Sequence, residues 1–420
     1  MKWEESKMVQ FIHAADLHLD SPFIGLKSLP PFLWEQIYQS TFKSLEKIVD
    51  LAIDKQVDFV CLAGDIYDSD DRSVKAQAYL RNELIRLESA EIPVFICHGN
   101  HDYIENTGLH LTMPKNVTIF NEEVETHWLT TKKNERIAIT SFSYPKRWVR
   151  ERMIESYPKR EETADYHIGM LHGSVDGVES EHGTYAPFTL TELKNKNYDY
   201  WALGHIHKRQ ILSENPLVIY SGNTQGRSSK ELNSKGCEWI QLTAEAKTHQ
   251  FYSTATIQWE KVQLSLKGIE RLGDVYQTIQ EFIQTKKNNK QSLFIELRLT
   301  DSESLALNVR KKINSGELLE AVQQVSETDD VIIWVHRIVL EKETVGNNQF
   351  SFMTKEWQEA INLVAEESWF NEATNFLFEE GQIEDYVDSR DQRYRELIIT
   401  EAKERIIQQL GIEGSEKNEN

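Results

Sequence analysis

The sequence predicts an α/β fold: a four-layer α-β-β-α sandwich with a smaller β-α-β-α-β unit behind it and a helical C-terminal region. Three observations predict it. From about residue 8 to about residue 257, short apolar runs of strand character alternate with helical stretches. Beyond residue 128 the texture changes, and strands follow one another with little helix between them. From 258 to 345 the alternation of apolar runs and helical stretches returns as a self-contained unit.

Taken in order, MVQFIHAAD reads as a strand, 31–55 as a helix, VDFVCLAGD as a strand, 72–90 as a helix and IPVFICHGN as a strand. These runs are apolar throughout rather than alternating, as expected of strands covered on both faces. WLTTKKNERIAIT reads as a hairpin around a polar turn. YHIGMLHG, YDYWALGHIHKRQIL, NPLVIYSG and CEWIQLTAEAKTHQFYS then imply a second, more antiparallel set of strands. Helices outside two facing sheets give the four layers. WEKVQLSLKGI, a helix near 273–287, SLFIELRLT, a helix near 303–326 and VIIWVHRIVLEK form the smaller unit. Two helical stretches, about 355–379 and 384–410, precede the polar GIEGSEKNEN. The expected domains are therefore 1–257, 258–345 and 346–420.

Composition narrows the class. The chain has 420 residues, more than one hydrophobic core usually organises, and is 40% hydrophobic and 27% charged, as in ordinary globular proteins. No apolar run approaches the roughly 18 residues that span a bilayer, and MKWEESKMVQFIHAAD lacks the apolar stretch of a secretory signal. Cys61, Cys97 and Cys237 show no metal-type spacing and read as core thiols of a reducing compartment, so a cytoplasmic location is expected. The net charge of −20 argues against nonspecific polyanion binding by the body as a whole. Its distribution is uneven: residues 346–420 hold 7 Lys+Arg against 17 Asp+Glu, half of the net charge.

The chemistry gathers where strands stop. In α/β sheets ligands collect beyond the carboxyl ends of strands, where loops converge. AADLHLD supplies Asp16 and His18 there, GDIYD supplies Asp65 and Asp68, and GNHD supplies Asn100, His101 and Asp102. MLHGS adds His172, and LGHIH adds His205 and His207. Carboxylate, amide and imidazole together suit Mn²⁺, Fe²⁺ or Zn²⁺ better than an all-oxygen Mg²⁺ or Ca²⁺ site. Seven or more donors are too many for one ion and suit two. Residues two apart, as in Asp16/His18 and His205/His207, would share one side of an extended chain. The glycines before Asp65 and Asn100 would permit a sharp turn and leave room for an ion. Each fragment alone has an ordinary reading, since Gly-Asp is common turn chemistry and His-x-His fits a solvated strand face. Five such fragments in order at five strand ends are hard to produce by chance.

D-x-H, G-D, G-N-H-D, H and G-H-x-H in this order resemble the motifs of the calcineurin-like metallophosphoesterases. HAADLHLDSPF, CLAGDIYDSDD, ICHGNHD, LHGS, WALGHIHKRQ and YSGNTQGRSSKE look like the branch holding the bacterial SbcD-type DNA repair exonuclease subunits. The motifs span 8–236, and the unit after them resembles that branch's capping domain. The resemblance implies that Asp16, His18 and His207 hold one divalent ion and Asn100, His172 and His205 a second, with Asp65 bridging. Manganese is the favoured ion, with iron or zinc as alternatives. It further implies His101 as a proton donor or stabiliser at the leaving oxygen, with Asp102 orienting His101. Asp68 stands where some relatives carry histidine, and its role stays open. An SbcC-like ATPase partner docking on the C-terminal helices and a homodimer through 31–55 and 72–90 are also implied; from the lack of a long apolar run, no membrane association is expected.

The expected function is a metal-dependent phosphodiesterase acting on DNA in repair, an exonuclease with endonuclease activity as a further option. The alternatives are a small-substrate phosphodiesterase or phosphatase, and a DNA-end-binding scaffold with weak activity. YPKRWVRERMIESYPKR (144–160) interleaves Lys146, Arg147, Arg150, Arg152, Lys159 and Arg160 with Tyr144, Trp148 and Tyr157, a pattern suited to a nucleic-acid strand. It equally fits an amphipathic helix with Trp148 and Met153 packed inward. Lys208, Arg209, Arg227 and Lys230 would add positive charge around the mouth. The remaining histidines, His98 and His182 among them, take structural readings by default.

Overall fold

The fold is seen in a computed structural model, which describes residues 8–341 except 24–25, 27–28, 69–71, 105–109, 177–184 and 324–329. It also describes 354–366 and scattered positions from 368 to 402. Two compact units divide the chain, 1–341 and 342–420.

The first sheet begins with β1 (Met8–Ala14), followed by α1 (Pro31–Tyr38) and α2 (Ser40–Lys55). The single helix expected over 31–55 is interrupted at Gln39, where Ser40 Oγ donates to the Ile37 carbonyl at 2.5 Å and competes with the helix ladder. Next come β2 (Phe59–Ala63), α3 (Val74–Ser89), β3 (Val94–Cys97) and β4 (Val117–Ile119). Ser73 caps α3, its side chain accepting from the Ala76 amide at 3.0 Å. Strands β1 to β4 pair in parallel.

The second sheet holds β5 (Glu125–Thr130), β6 (Arg136–Ser141), β7 (Tyr166–His172), the short helix α4 (Leu190–Asn195), β8 (Tyr200–Gly204), β9 (Gln210–Glu214) and β10 (Leu217–Tyr220). Its strand order is β5-β6-β7-β8-β10-β9, and only the edge strands β5 and β9 run antiparallel to their neighbours. The interior of this sheet is parallel, contrary to the antiparallel expectation. Among the described residues, the crossovers between its strands hold coil, a 3₁₀ turn at Met153–Ser156 and the six-residue α4, too little helix to leave a periodic signal. The last apolar hairpin, β11 (Gly236–Thr243) with β12 (Lys247–Ser253), joins the first sheet beside β1, not the second.

Period-two alternation inside the apolar runs builds the layers. Phe59, Cys61 and Ala63 of β2 face Ile137, Ile139, Ile168, Tyr200 and Ala202 of the other sheet. Val60 and Leu62 face Leu45, Ile48, Leu80 and Leu84 of the helices. On the far side of the second sheet, Trp201 and Leu203 meet Tyr144, Ile154, Tyr157 and Leu193. Each such buried side chain contributes about 1.5–3 kcal/mol of transfer free energy. The result is the expected four-layer arrangement, with its last layer thin. The three cysteines are free and buried, as expected of core thiols.

A third, all-parallel sheet follows: β13 (Ile257–Ser265), α5 (Leu272–Lys287), β14 (Ser292–Thr300), α6 (Leu307–Asn314), α7 (Glu317–Val322) and β15 (Ile333–Leu340). Its helices cover one face, and its other face packs Trp259, Phe294 and Trp334 on Phe23, Leu33 and Ile37. In the second unit, α8 (Thr354–Ala365) is described, with Leu363, Val364 and Trp369 exposed and Phe370 buried. The helix expected over 384–410 lies almost wholly outside the described residues. Among the described residues, no helix is long and apolar enough to cross a membrane.

Candidate metal centre

Where β1, β2 and β8 end, the backbone leaves the extended region. Asp16, His18, Asp65 and His205 all have positive φ, at 53°, 45°, 48° and 95°. A non-glycine residue held there costs on the order of 1 kcal/mol or more and persists only where its surroundings fix it. Here the loops fix one another: Asp16 N donates to Gly64 O at 3.1 Å and His18 N to Asp65 O at 3.0 Å. The expectation that Asp16/His18 and His205/His207 use an extended chain is therefore corrected. Left-handed residues at Asp16, His18 and His205, not strand alternation, set the direction of these loops.

The first group is Asp16, His18 and His207, whose ligand atoms all lie within 4.8 Å of one another. His18 Nε2 and His207 Nε2 face each other at 3.1 Å. Each ring is braced from behind: His207 Nδ1 donates to Glu231 Oε1 at 2.6 Å, and His18 Nδ1 lies 3.1 Å from Asp68 Oδ1. Arg227 ties the two braces together, paired directly with Asp68 and 3.8 Å from Glu231. Glu231 also accepts from Asn223 Nδ2 (3.0 Å) and the Arg227 amide (2.6 Å). Arg227 and Glu231 belong to a strap, 221–235, that β13 pins: Trp259 Nε1 donates to Gly226 O at 3.1 Å and Gln225 Nε2 to Ile257 O at 2.6 Å.

The second group is Asn100, His172 and His205. Asn100 Oδ1 lies 3.1 Å from His172 Nε2 and 3.2 Å from His205 Nδ1. His172 Nδ1 donates to the Ala63 carbonyl at 3.1 Å, which leaves Nε2 as the ligand atom. Asp65 stands between the groups, its Oδ2 being 3.4 Å from His172 Nε2 and 3.8 Å from His18 Nε2. Glycine is required around this half for a reason other than room for an ion. A Cβ on Gly64, at φ +87°, would lie 2.2 Å from His172 Nδ1. One on Gly99 would lie 2.3 Å from Asp65 Oδ1 and 2.7 Å from His172 Nε2.

Charge in the cluster is balanced as a cation site requires. Burial opposes the charge on Asp65, yet His172, His18 and His101 hold its carboxyl well below the usual range. Burial opposes the charge of His172 as well, but Asp65 and Asp16 outweigh it and push its pKa up to about 9. Burial, and then Arg227, lower His18 to about 3, so its ring is neutral and ready to ligate. Burial raises Asp16 against the pull of His207 and His172. Two facing imidazole Nε2 atoms and an amide oxygen aimed between two further rings form a donor set that a divalent transition ion fits. Ligand atoms about 3 Å apart are what one ion about 2.1 Å from each would gather.

His101 lies at the edge of the first group, its ring 4.9 Å from that of His18, with its Nδ1 2.8 Å from the Asp68 carbonyl oxygen and its amide donating to Asp65 Oδ1 at 2.9 Å. Asp102 does not orient it, contrary to expectation. The buried Asp102 carboxylate accepts from the amides of Ile66 (2.8 Å) and Gly99 (2.7 Å) and lies 3.0 Å from His98 Nδ1. Asp102 thus ties the two ligand loops together, and His98, read as structural, is its partner. The Asp102 side chain turns back on its own loop, where the Gly99 amide three residues earlier takes the oxygen that sequence adjacency assigned to His101.

The basic residues divide differently from expectation. Arg209 pairs with the buried Glu238 and Arg227 with Asp68, so neither adds net charge to the mouth, whereas Lys208 and Lys230 are exposed. Segment 144–160 is mostly coil rather than an amphipathic helix. Tyr144 and Tyr157 are core, Arg152 is paired with Asp176 and Glu192, and Arg160 with Asp199. Trp148 faces outward, with Val149 buried in its place. His182 lies outside the described residues. The bracing by Glu231 was missed in the sequence; YSGNTQGRSSKE carried it only as part of a resemblance.

Comparison with known proteins gives a consistent picture. Residues 9–209 match the family described as calcineurin-like phosphoesterase. The chain is 38% identical over 339 residues to the uncharacterized metallophosphoesterase YhaO of Bacillus subtilis, a match covering 80% of this chain and 83% of that protein. It is 25% identical over 223 residues to the DNA double-strand break repair protein Mre11 of Thermoplasma acidophilum, covering 52% of this chain and 58% of that one. The Mre11 protein of Sulfurisphaera tokodaii is 24% identical over 320 residues, covering 72% and 76%.

Proposed function

This chain belongs to the calcineurin-like phosphoesterases, and from that premise we propose that its two-ion centre hydrolyses phosphodiester bonds of DNA. The observation that carries this reading is the donor cluster itself: Asp16, His18 and His207 together, Asn100 Oδ1 between His172 and His205, and Asp65 between the two groups. Likeness to proteins described as acting in DNA double-strand break repair, over 72% of the chain in one case, supports DNA as the substrate.

Asp16, His18 and His207 would hold one ion, and Asn100, His172 and His205 the other, with Asp65 shared. Two such ions, manganese being favoured, supply positive charge to the scissile phosphate and lower the pKa of a bound water. The protein's own part is positioning and proton transfer. The Asp68 carbonyl accepts from His101 Nδ1–H, so that Nε2 of the cationic ring would give its proton to the departing oxygen and leave the ring neutral. Asp68, through its side chain, and Glu231 fix the orientation of His18 and His207. An SbcC-like ATPase docking on 346–420, a homodimer through 31–55 and 72–90, and work in cytoplasmic DNA repair complete the reading. A small-substrate phosphodiesterase is the second reading, favoured by the internal neutralisation of Arg209 and Arg227.

The test compares wild type with His101→Ala on end-labelled linear DNA and on a chromogenic phosphodiester, both with Mn²⁺. Wild type should shorten the DNA, and the variant should lose about 10²–10⁴-fold in rate while keeping its metal content. Cleavage of the chromogenic diester alone would favour the small-substrate reading. Loss of metal with His101 would remove its role as proton donor.

A further inference from the structure

Trp148 is a large apolar side chain left 52% exposed, although Val149 beside it is buried to 2%. Its ring is not loose on the surface. It stacks on Tyr185 with centroids 5.1 Å apart and planes within 15°, and Tyr185 is itself only 6% exposed. The Tyr185 ring lies 5.0 Å from His205, and His205 lies 5.3 Å from His172. A column of rings thus runs from solvent to the second metal group. Backbone bonds fix both ends of the stack: Ala186 N donates to Val149 O at 2.7 Å and Ser174 N to Tyr185 O at 2.8 Å. The Arg147 guanidinium sits 5.9 Å from the Trp148 ring centre. Arg147 and Arg150, on either side of Trp148 and Val149 in the chain, are both exposed.

We propose that the Trp148–Tyr185 stack is a platform for one unpaired nucleobase of the strand whose phosphate lies at the metal centre, with Arg147 and Arg150 engaging a neighbouring phosphate. The proposal rests on the nuclease reading and names the part of the substrate that the reading left open. A half-exposed indole whose inner face is already stacked offers its outer face to a flat ligand once the exposed Arg147 over it moves to a phosphate, and every base has such a face. A base inside an intact duplex cannot present it, so the platform selects frayed ends or single strands. An indole placed for packing alone would face inward, as Trp201 does at 0% exposure.

Binding of fluorescein-labelled pentathymidylate and of an abasic tetrahydrofuran pentamer to the full chain, measured by anisotropy, tests this directly. Wild type, Trp148→Ala and Trp148→Phe are compared, with thymidine 5′-monophosphate as competitor. Wild type should bind the thymine strand about tenfold more tightly than the abasic one. Trp148→Ala should lose that preference and Trp148→Phe should keep most of it. Displacement at low concentration by the free nucleotide would assign the platform to mononucleotides and overturn the strand proposal. Equal binding of both strands by wild type, or a preference that survives Trp148→Ala, would overturn it too. So would a change in molar mass with Trp148→Ala in light scattering, which would assign the ring to a protein contact. DNA cleavage by wild type is scored in parallel: base preference without cleavage keeps the platform and removes the nuclease reading, and cleavage without base preference does the reverse.

Discussion

The two halves of the donor cluster use similar ligands and are held by different forces. His18 and His207 are braced by charge, through Asp68 and Glu231, with Arg227 linking the two carboxylates. His172 is held by shape, its ring packed against Gly64 and Gly99 and its Nδ1 on a backbone carbonyl. The first half depends on a strap that the third sheet pins. The second depends on the ends of buried strands. A substitution that spares the shared Asp65 should therefore weaken one half with little effect on the other, and the kind of substitution that matters should differ between them.

The largest effect is expected at Gly99. Gly99→Ala forces a methyl to within 2.3 Å of Asp65 Oδ1 and 2.7 Å of His172 Nε2. Neither atom ends a long flexible chain, so the shared carboxylate and the second-group ligand must both move. More than about a hundredfold loss of phosphodiester hydrolysis is expected, as is typical when a reacting constellation shifts by about 1 Å. Metal analysis should find less than two ions per chain, while thermal unfolding monitored by circular dichroism stays cooperative. A variant with full metal content and near-normal activity would show that shape does not hold the second half.

This contrast also marks what the sequence could reveal. The strand-end fragments were legible because each is contiguous: an apolar run, a glycine, then donors. Asp16, His18, Asp65, Asn100, His172, His205 and His207 are brought together as read. The bracing was not legible, because Glu231 meets His207 and Arg227 meets Asp68 across 24 and 159 residues. No local pattern encodes such pairs. Asp102 misled for the opposite reason: adjacency to His101 suggested a partnership, and the turn geometry gave the carboxylate to Gly99, Ile66 and His98 instead. The parallel interior of the second sheet was hidden by crossovers with little helix among their described residues.

An intermediate effect is expected from the charged brace. Burial opposes the charge on Glu231, but His207 and Arg227 hold its carboxyl well below the usual range. Glu231→Gln keeps an acceptor near His207 Nδ1 and removes the charge. Loss of such a partner behind a ligating histidine weakens metal binding by about 10–100-fold. Mn²⁺ titration followed by electron paramagnetic resonance should show one of two sites weakened and the other unchanged. Equal weakening of both would mean that the two halves share one support.

The smallest effect separates the halves by their protons. A histidine ligates as the neutral ring, so an ion must displace any proton already there. With no ion bound, His18 is lowered to about 3 by burial and by Arg227, and it carries no proton at neutral pH. Burial opposes the charge on His172, yet Asp65 and Asp16 raise its pKa to about 9, so below that pH its ring is protonated. An ion entering the second half should thus release about one proton from His172, whereas His18 has none to release in the first. Apparent affinity of the second site should then rise about tenfold per pH unit from pH 7 toward 8.5 and flatten near 9. Calorimetric Mn²⁺ titrations of wild type and Glu231→Gln, in two buffers of different ionisation enthalpy, would count the protons at each site. A pH-independent second site would show that Asp65 and Asp16 do not hold a proton on His172. The difference between the halves would then lie in packing alone.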